Sequence, residues 1–323
     1  MKAAILAAGL GTRLRPLTYT LPKALLPVLN RPLLGLWLAQ LEAAGFTRVA
    51  VNTHHLEAAV RRFLESKEAG RLDLKVSHEP EILGTGGGLK KLGEILGEGP
   101  FLAVNGDILT DLDLAAVYRN HQPEAVSTLV LHDCPPYNNV WVAQGVVVSI
   151  GPAPAAGAGS PLAYSGVQVV GPKMLKYLPG DGYYDLVTAW REALRAGEKL
   201  NTLVVSGHFW QDLGTLAAYL TAHQRLLKGE APSLAHLFPP LTDPLIGPGA
   251  TIAPGVQFGG GVCLGAGVEI GAGAALTNTV VWDRAAIAPG VRLTDCLVPS
   301  GVKVTHSAQG QVMEEDVGGG PGT

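Results

Sequence analysis

Hydrophobic and polar residues follow two alternating periods along the first third of the chain. Short apolar runs, typical of buried strands, occur at 2–8, 47–52, 72–79 and 100–107. Segments with the three- to four-residue spacing of helices lie between them, at 32–45, at 55–66 and in GGLKKLGEIL. Strands that alternate with helices over short connections predict a parallel sheet covered on both faces. Up to about residue 120 the pattern is therefore that of a doubly wound, mostly parallel α/β fold.

The pattern becomes strand-rich between residues 125 and 171, interrupted by GPAPAAGAGS (151–160), for which we predict a flexible hairpin loop. Helical spacing returns at 183–197 and 214–228, where Trp190 and Tyr219 are expected in the core. The segment 229–244 contains four prolines and little periodicity, which favours a linker. We therefore expect one domain over 1–228.

A six-residue period dominates the rest of the chain. Aliphatic or aromatic residues recur at Ile246, Ile252, Phe258, Leu264, Ile270 and Leu276. A small or β-branched residue follows four positions after each of the first five, at Ala250, Val256, Val262, Val268 and Ala274. After an out-of-phase break at TNTVVW, the spacing resumes at Val281, Ile287 and Leu293. This period predicts a parallel β-helix of about three coils over 245–302, followed by a tail at 303–323.

Composition narrows the functional classes. The 323 residues carry a net charge of −3, which argues against a general binder of nucleic acids or anionic membranes. The cysteines, Cys134, Cys263 and Cys296, are far apart and never form a CxxC pair, so no disulfide framework or zinc site is indicated. The apolar run Ala3–Ala8 is too short for a signal peptide, and no transmembrane stretch follows. We expect a cytoplasmic protein.

The segment GLGTRLRPLTYTLPKALLPV (9–28) follows the first predicted strand and has the composition of a phosphate-binding loop. It lacks the GK[ST] of a P-loop, and Leu14 stands where a Rossmann fingerprint requires its third glycine. A loop that binds a triphosphate accounts for the glycines and the basic residues of this segment. Glycines allow the backbone to approach the phosphates, Arg13 can clamp their oxygens with a planar fork, and Lys23 can add a point charge.

The same segment resembles the signature G-x-G-T-R-L-x-P-L-T-x-x-x-P-K of the sugar-1-phosphate nucleotidyltransferases. The similarity continues through EPEILGTGGG, VNGD, YSGV and FWQDLGT in the family's order. It implies a Rossmann-like catalytic domain followed by a left-handed parallel β-helix of hexapeptide repeats. It also implies a reaction in which a nucleoside triphosphate and a sugar 1-phosphate give an NDP-sugar and pyrophosphate.

The resemblance assigns roles to individual residues. The catalytic residues are Arg13 and Lys23. The nucleotide-binding positions are Leu6, Ala7, Ala8, Gly9, Gly11, Thr12, Glu79, Gly84, Thr85 and Gly86. Asp107 and Asp212 match the two aspartates that bind Mg²⁺ in the family. Asp107 also ends a hydrophobic strand, where ligands of open α/β sheets bind, and a hard cation requires oxygen ligands.

The part of the sequence expected to bind the sugar 1-phosphate resembles the family less closely. Many relatives use a Glu-Lys-Pro segment whose lysine holds the sugar phosphate, but this chain has no Lys or Arg from Asn120 to Pro172. Candidate sugar contacts are Asn139, Tyr164, Ser165 and Gly166, with Tyr183 and Asp185 as weaker ones.

Base and sugar identity stay open. The segment LGTGG (83–87), which the resemblance assigns to recognition of the base, and the hexapeptide repeats favour a mannose-1-phosphate guanylyltransferase that uses GTP. The missing Glu-Lys-Pro and the TGGG…VNGD pattern also resemble uridylyltransferases that act on N-acetylmuramic acid 1-phosphate. Glucose-1-phosphate enzymes using dTTP or UTP are a third alternative.

Two other classes compete with this interpretation. A hexapeptide acyltransferase generally needs a histidine on the β-helix, but residues 245–302 contain none, and His306 lies beyond them. A non-catalytic subunit that only binds sugar nucleotides would not need to retain Arg13, Lys23, Asp107 and Asp212. For the β-helix we expect a role in homo-oligomerisation, since its flat aliphatic faces need covering.

Overall fold

The computed structural model describes residues 1–154 and 160–314. The chain folds into two compact units. The first consists of Met1–Leu10, Pro22–Ala24 and Leu34–Trp210, and the second of Gly11–Leu21, Leu25–Leu33 and the residues from Gln211 onward. The division is therefore not a single cut near residue 228, because two short N-terminal segments group with the repeats. Half of the predicted loop 151–160, residues 155–159, and the end of the predicted tail 303–323 lie outside the described residues.

Strands before residue 213 are β1 (Lys2–Leu6), β2 (Pro27–Val28), β3 (Arg31–Pro32), β4 (Arg48–Thr53), β5 (Asp73–His78), β6 (Phe101–Asn105), β7 (Ile108–Thr110), β8 (Ser127–His132), β9 (Val140–Ala143), β10 (Val146–Ile150), β11 (Pro161–Val170), β12 (Leu200–Val204) and β13 (Trp210–Asp212). The helices are α1 (Leu33–Ala43), α2 (Glu57–Leu64), α3 (Gly84–Leu96), α4 (Leu114–Arg119), α5 (Leu186–Arg195) and α6 (Leu216–Leu227).

The first unit is built on one sheet, in the order β5-β4-β1-β6-β11-β8-β12-β10-β9 among the described residues. Strands β5, β4, β1 and β6 are parallel, as are β8 and β12. Strand β11 runs antiparallel between β6 and β8. The central strands are buried on both faces, as in Ala3, Ala4 and Ile5, so both faces of the sheet are covered. The doubly wound α/β prediction is confirmed, with β11 and the hairpin β9–β10 as its antiparallel part.

The sequence predicts a helix from GGLKKLGEIL (87–96), and in the structure α3 begins three residues earlier, at Gly84. The backbone N–H groups of Gly86 and Gly87 donate to the carbonyl of Tyr184, at 2.8 and 3.3 Å. This carbonyl satisfies donors that a helix N-terminus otherwise leaves without partners. A residue distant in sequence therefore permits a helix where local glycine content disfavours one.

The second unit contains the predicted parallel β-helix. Its strands are β14 (Leu245–Ile246), β15 (Thr251–Ile252), β16 (Gln257–Phe258), β17 (Cys263–Leu264), β18 (Glu269–Ile270), β19 (Ala275–Thr277), β20 (Val280–Val281), β21 (Ala286–Ile287), β22 (Arg292–Thr294), β23 (Leu297–Val298), β24 (Lys303–Val304) and β25 (Ala308–Gln309). They stack in three parallel sheets: β14-β17-β20-β23, β15-β18-β21-β24 and β16-β19-β22-β25. The stack is consistent with the left-handed β-helix predicted from the repeats, and it extends beyond residue 302 to Gln309.

Two tight corners explain the break in the six-residue period. Leu276 and Val281 are five residues apart, and so are Leu293 and Val298. The corners contain Asn278 and Asp295, which have φ values of 44° and 53°. The side-chain amide of Asn278 donates to the Asp295 carboxylate at 2.6 Å. Asn and Asp tolerate this left-handed backbone better than most residues, so a five-residue corner can repeat on successive coils.

Helix α6 and the β2–β3 hairpin pack against one face of the β-helix within the second unit. Asn30 donates its side-chain amide to the carbonyl of Leu264 at 2.8 Å, and Trp282 donates to the Tyr219 hydroxyl at 3.1 Å. The buried His223 accepts from Leu29 N at 3.1 Å, and burial lowers the pKa of this imidazole to about 4. These contacts join α6, the hairpin and the repeats into one body.

In the proline-rich segment 229–244, Leu234 and Leu237 are buried on a short 3₁₀ helix (Pro232–Leu237). None of the described helices has the length and apolar character needed to cross a membrane.

Candidate active site

A cleft in the first unit lies at the carboxyl ends of β1, β4 and β6. Its lining includes nine of the residues predicted to bind or act on nucleotide: Leu6, Ala7, Ala8, Gly9, Lys23, Glu79, Gly84, Thr85 and Asp107. The cleft volume is about 200 Å³, whereas pockets for whole drug-sized ligands span about 300–1,000 Å³.

A buried polar network forms the back of this cleft. Asn52, on β4, accepts from the backbone N–H of Ala7 at 2.6 Å and donates to Glu79 Oε1 at 2.7 Å. The other carboxylate oxygen, Glu79 Oε2, accepts from Leu83 N at 3.0 Å. Glu79 is 1% exposed, so it holds the loop before α3 rather than presenting its carboxylate to a ligand. The network fixes the end of β1 relative to the segment predicted to read the base.

Asn52 was missed by sequence reasoning, as were Asn105 and Gly106, which also line the cleft. Each lies at or just after the carboxyl end of a strand parallel to β1. A polar residue that ends a buried apolar strand next to a ligand-binding edge is the signal that could have identified Asn52. Gly106 N donates to the carbonyl of Leu6 at 2.8 Å, which holds the VNGD turn against the end of β1.

Lys23 and Asp107 form a close ion pair at the same edge. Lys23 Nζ lies 2.6 Å from Asp107 Oδ2. The lysine side chain is 9% exposed, whereas that of Asp107 is 39% exposed. The ammonium is thus held in a nearly water-excluded position, where its field acts more strongly than in bulk water.

The second unit places Arg13 beside Asp212. Arg13 Nη2 lies 3.9 Å from Asp212 Oδ2, and the arginine side chain is 61% exposed. Gly214 makes this approach possible, because a Cβ there would lie 2.4 Å from Arg13 Nη2. Gly11 and Thr12 begin the turn that carries Arg13, and Thr18 donates its hydroxyl to the Gly11 carbonyl at 2.9 Å. The exposed guanidinium is free to meet an anionic ligand.

Asp107 and Asp212, each within its own unit, have surroundings that fit a cation. Asp212 Oδ1 is buried and has no hydrogen-bond partner among the described residues. An uncompensated buried carboxylate oxygen is costly, and a cation is one way to compensate it. Asp107 is partly exposed at the cleft and pairs through Oδ2 with a lysine. Both are hard oxygen donors of the type that Mg²⁺ prefers, alongside substrate phosphates.

The sugar-side candidates separate into different environments. Ser165 is fully buried, and its hydroxyl accepts from Val167 N at 3.3 Å. The ring of Tyr164 packs edge-on against Trp190, and burial raises the pKa of its phenol. A Cβ at Gly166 would lie 3.3 Å from Asn105, so the Gly166 backbone adjoins the cleft lining. Asn139 is exposed and pairs through its backbone with Leu162 and Gly151. Ser165 is thus enclosed by the protein, and Tyr164 packs against a core side chain.

Tyr183 and Asp185, the weaker candidates for sugar contacts, lie against Gly84 and Thr85 in the segment predicted to recognise the base. Thr85 donates its hydroxyl to Asp185 at 3.3 Å and accepts from Leu186 N at 3.1 Å. Tyr183 is 72% exposed, and a Cβ on Gly84 would lie 3.0 Å from its ring. The DGYYDL segment thus supports the N-terminus of α3 at the cleft wall. Gly86 lies within this contact, with its N–H bound to Tyr184 rather than lining the cleft.

A substitution at Gly88 tests how tightly the buried polar network is packed, without changing any residue predicted to bind phosphate. A Cβ there would lie 2.6 Å from Asn52 Nδ2 and 2.8 Å from Glu79 Oε1, so Gly88→Ala forces the network apart. We expect a loss of about 1–3 kcal/mol in the free energy of unfolding, as for overpacked cores, measured by denaturant titration. Gly180→Ala is the matched control, because a Cβ there meets nothing within 4 Å. Equal stability of the two variants would contradict the tight packing described here.

Comparisons with known proteins agree with this architecture. Residues 2–229 match the nucleotidyl transferase family, and residues 243–278 match the bacterial transferase hexapeptide repeats. An N-acetylmuramate alpha-1-phosphate uridylyltransferase from Neisseria meningitidis is 36% identical over 224 residues, which cover 67% of this chain and 94% of the relative. A mannose-1-phosphate guanyltransferase from Aspergillus fumigatus is 30% identical over 259 residues, covering 76% of this chain and 70% of the relative.

A solved UDP-glucose pyrophosphorylase from Acinetobacter baumannii superposes with a TM-score of 0.61 at 19% identity, covering 73% of this chain and 97% of that structure. At this identity the likeness shows the fold alone. The family match over residues 2–229 and the similarity to the Neisseria relative assign the chain to a family. The chain belongs to the nucleotidyl transferase family, as a sugar-1-phosphate nucleotidyltransferase that also carries hexapeptide repeats.

Proposed function

We propose that the chain transfers a uridylyl group from UTP to N-acetylmuramate 1-phosphate, with Mg²⁺, releasing pyrophosphate. The observation that carries the reaction type is the cleft at the carboxyl edge of the sheet, where Lys23 and Asp107 are paired. Ligands of open α/β sheets bind at this edge. The choice of base and sugar rests on the Neisseria relative, which is matched over almost its whole length.

In the proposed reaction, an oxygen of the sugar phosphate attacks the α-phosphorus of the triphosphate. A new P–O bond forms there as the bond to the β-phosphate oxygen breaks, and pyrophosphate leaves with that electron pair. The attacking phosphate oxygen is already anionic, so no protein group has to remove a proton. The chain therefore contributes positioning and charge stabilisation, the usual parts of phosphoryl-transfer catalysis.

Each residue has a role that follows from its surroundings. The backbone from Leu6 to Gly9 lies along the cleft, and the glycine permits close approach of a nucleotide. Lys23 holds the Asp107 carboxylate and adds positive charge where the phosphates bind. Arg13, exposed beside Asp212, can bind phosphate oxygens in a forked geometry. When bound to Asp107 and Asp212, Mg²⁺ would supply further neutralisation of the phosphate oxygens.

One alternative substrate pair is favoured by a specific observation. The Aspergillus mannose-1-phosphate guanyltransferase matches a larger share of this chain than the Neisseria enzyme does, 76% against 67%. GTP and mannose 1-phosphate, the pair favoured by the sequence, is therefore the second candidate.

Assays of every combination of nucleoside triphosphate and sugar 1-phosphate distinguish the two candidate substrate pairs. Purified enzyme with Mg²⁺ is given each of the four NTPs with N-acetylmuramate, mannose, glucose or N-acetylglucosamine 1-phosphate, and pyrophosphate release is followed. We expect the highest kcat/KM for UTP with N-acetylmuramate 1-phosphate. A maximum for GTP with mannose 1-phosphate would establish the second candidate, and a maximum for another pair would contradict both substrate assignments. Release with no pair, under conditions where the protein is folded, would overturn the proposed reaction.

A further inference from the structure

The three faces of the β-helix differ in what they present outward. On the β14-β17-β20-β23 face, the outward residues are buried: Leu245, Cys263, Val280 and Leu297. Asn30 covers part of it, accepting from the Cys263 thiol at 3.4 Å, and burial raises the pKa of this thiol to about 12. This face is therefore occupied within the unit.

The β15-β18-β21-β24 face, named here the central face, presents a row of residues that carries both charge signs. The strand register aligns its outward residues as Thr251, Glu269, Ala286 and Lys303. The alternate residues, such as Ile270 and Ile287, point inward and are buried. Glu269 and Lys303 are exposed, on opposite sides of the rung that holds Ala286. Adjacent rungs are about 4.8 Å apart, so the two charges are symmetric about Ala286.

We propose that the central face binds the central face of a second copy of this chain, with the two β-helices antiparallel. A two-fold axis that lies in the contact plane, parallel to the strands and level with Ala286, places Glu269 opposite Lys303 of the partner subunit. The same operation places Lys303 opposite Glu269 of the partner subunit, because a two-fold interface is self-complementary. One symmetric contact therefore forms two ion pairs.

The charges on the central face make parallel arrangements of two or three copies unfavourable. A symmetry axis parallel to the β-helix, two-fold or three-fold, brings residues of equal height together. It would set Glu269 against its own copy and Lys303 against its own copy, and such like-charge contacts are unfavourable. The β16-β19-β22-β25 face offers no such complementarity, because its outward row of Gln257, Ala275 and Arg292 contains a cation and no anion.

The central face carries little bulk between its two charges. The outward positions there are small, as in Ala286 and Ala288, and Gly271 lies beside them. Four rungs of short strands present about 300 Å² per subunit on strand spacings. A stable dimer usually buries about 800 Å² per partner. The proposed dimer is therefore weak, concentration-dependent and sensitive to salt.

Two charge reversals and their mixture test the pairing. Glu269→Lys and Lys303→Glu each place like charges opposite each other, so each variant alone should be monomeric where the wild type dimerises. Mixed together, they pair two cations on one chain with two anions on the other, so a heterodimer should form. The double variant, which exchanges the charges, should dimerise like the wild type. Arg292→Glu, on the third face, is the matched control and should leave dimerisation unchanged.

Sedimentation velocity on the full chain over a range of concentrations gives the readout. Runs at about 0.01 M and about 1 M salt bracket the screening of the ion pairs, because the Debye length falls from about 30 to about 3 Å. We expect dimer at low salt and weaker association at high salt. A wild type that stays monomeric at low salt would overturn the proposal. So would a trimer, or single variants that dimerise like the wild type. Pyrophosphate release by each variant reports on the catalytic unit separately.

Discussion

Replacing Lys23 by methionine is expected to lower kcat/KM about 10²- to 10³-fold, the scale of a lost charge-stabilising group in an active site. Methionine retains most of the side-chain stem but removes the ammonium 2.6 Å from Asp107. The carboxylate is then left without its cation, and the cleft without its buried positive charge. Pyrophosphate release under steady-state conditions measures the loss, and a Mg²⁺ titration shows whether Asp107 still binds metal with the same affinity.

Lys75→Met is the matched control for this variant. Lys75 forms an ion pair of similar length, 2.9 Å to Asp73, but its side chain is 49% exposed and lies outside the cleft lining. An exposed pair contributes little to stability or chemistry, so this variant should retain activity. If Lys23→Met were as active as Lys75→Met, the proposed role of the lysine would be wrong. A thermal unfolding midpoint separates loss of chemistry from loss of fold.

Arg13→Ala is expected to reduce turnover by at least about 10²-fold, because a forked donor to phosphate oxygens is removed. Its side chain is 61% exposed and contacts Asp212 only at 3.9 Å, so folding should be little affected. Arg15→Ala is the matched control, since Arg15 is exposed two positions along and lies 5.1 Å from the Tyr19 ring centre. Single-turnover assays with saturating triphosphate should show the loss in the chemical step.

A second variant tests the same site through its neighbour. Gly214→Ala places a Cβ 2.4 Å from Arg13 Nη2 and 2.8 Å from Asp212 Oδ1, so it should displace both side chains without removing their charges. We expect a smaller loss of turnover than for Arg13→Ala. Near-normal activity of Arg13→Ala itself would contradict the assignment of this loop to the triphosphate.

Regular spacing made large parts of the fold predictable. Strand runs such as 2–8 and the six-residue repeat are local patterns, and each corresponds to one structural period. The nine predicted residues that share a cleft follow strand ends of a parallel sheet, or belong to a long motif. Local pattern was sufficient for the strands and the repeats, whereas the roles of the cleft residues came from the resemblance to the family signature, with the strand-end position as added support for Asp107.

Features that depend on distant partners were not predictable in the same way. The glycines of 84–88 form a helical turn because the carbonyl of Tyr184, about a hundred residues away, caps it. Asn52 reaches both Ala7 and Glu79, and only the sheet order brings them together. Ser165 is a predicted sugar contact by position, and its complete burial depends on neighbours that the local sequence does not reveal. In each case the deciding interaction is tertiary.

The bonds that join Asn30 to Leu264 and Tyr219 to Trp282 also bear on how such a chain can be recombined. Almost the whole Neisseria relative is matched within 224 residues, so the family's enzymatic part can occur without repeats. In this chain, however, residues 25–33 and α6 pack against the surface of the repeats. A chimera with a junction at 229 would replace one side of these contacts and leave buried groups without their partners. An exchange of repeats between family members would therefore have to transfer the hairpin and the helix with them.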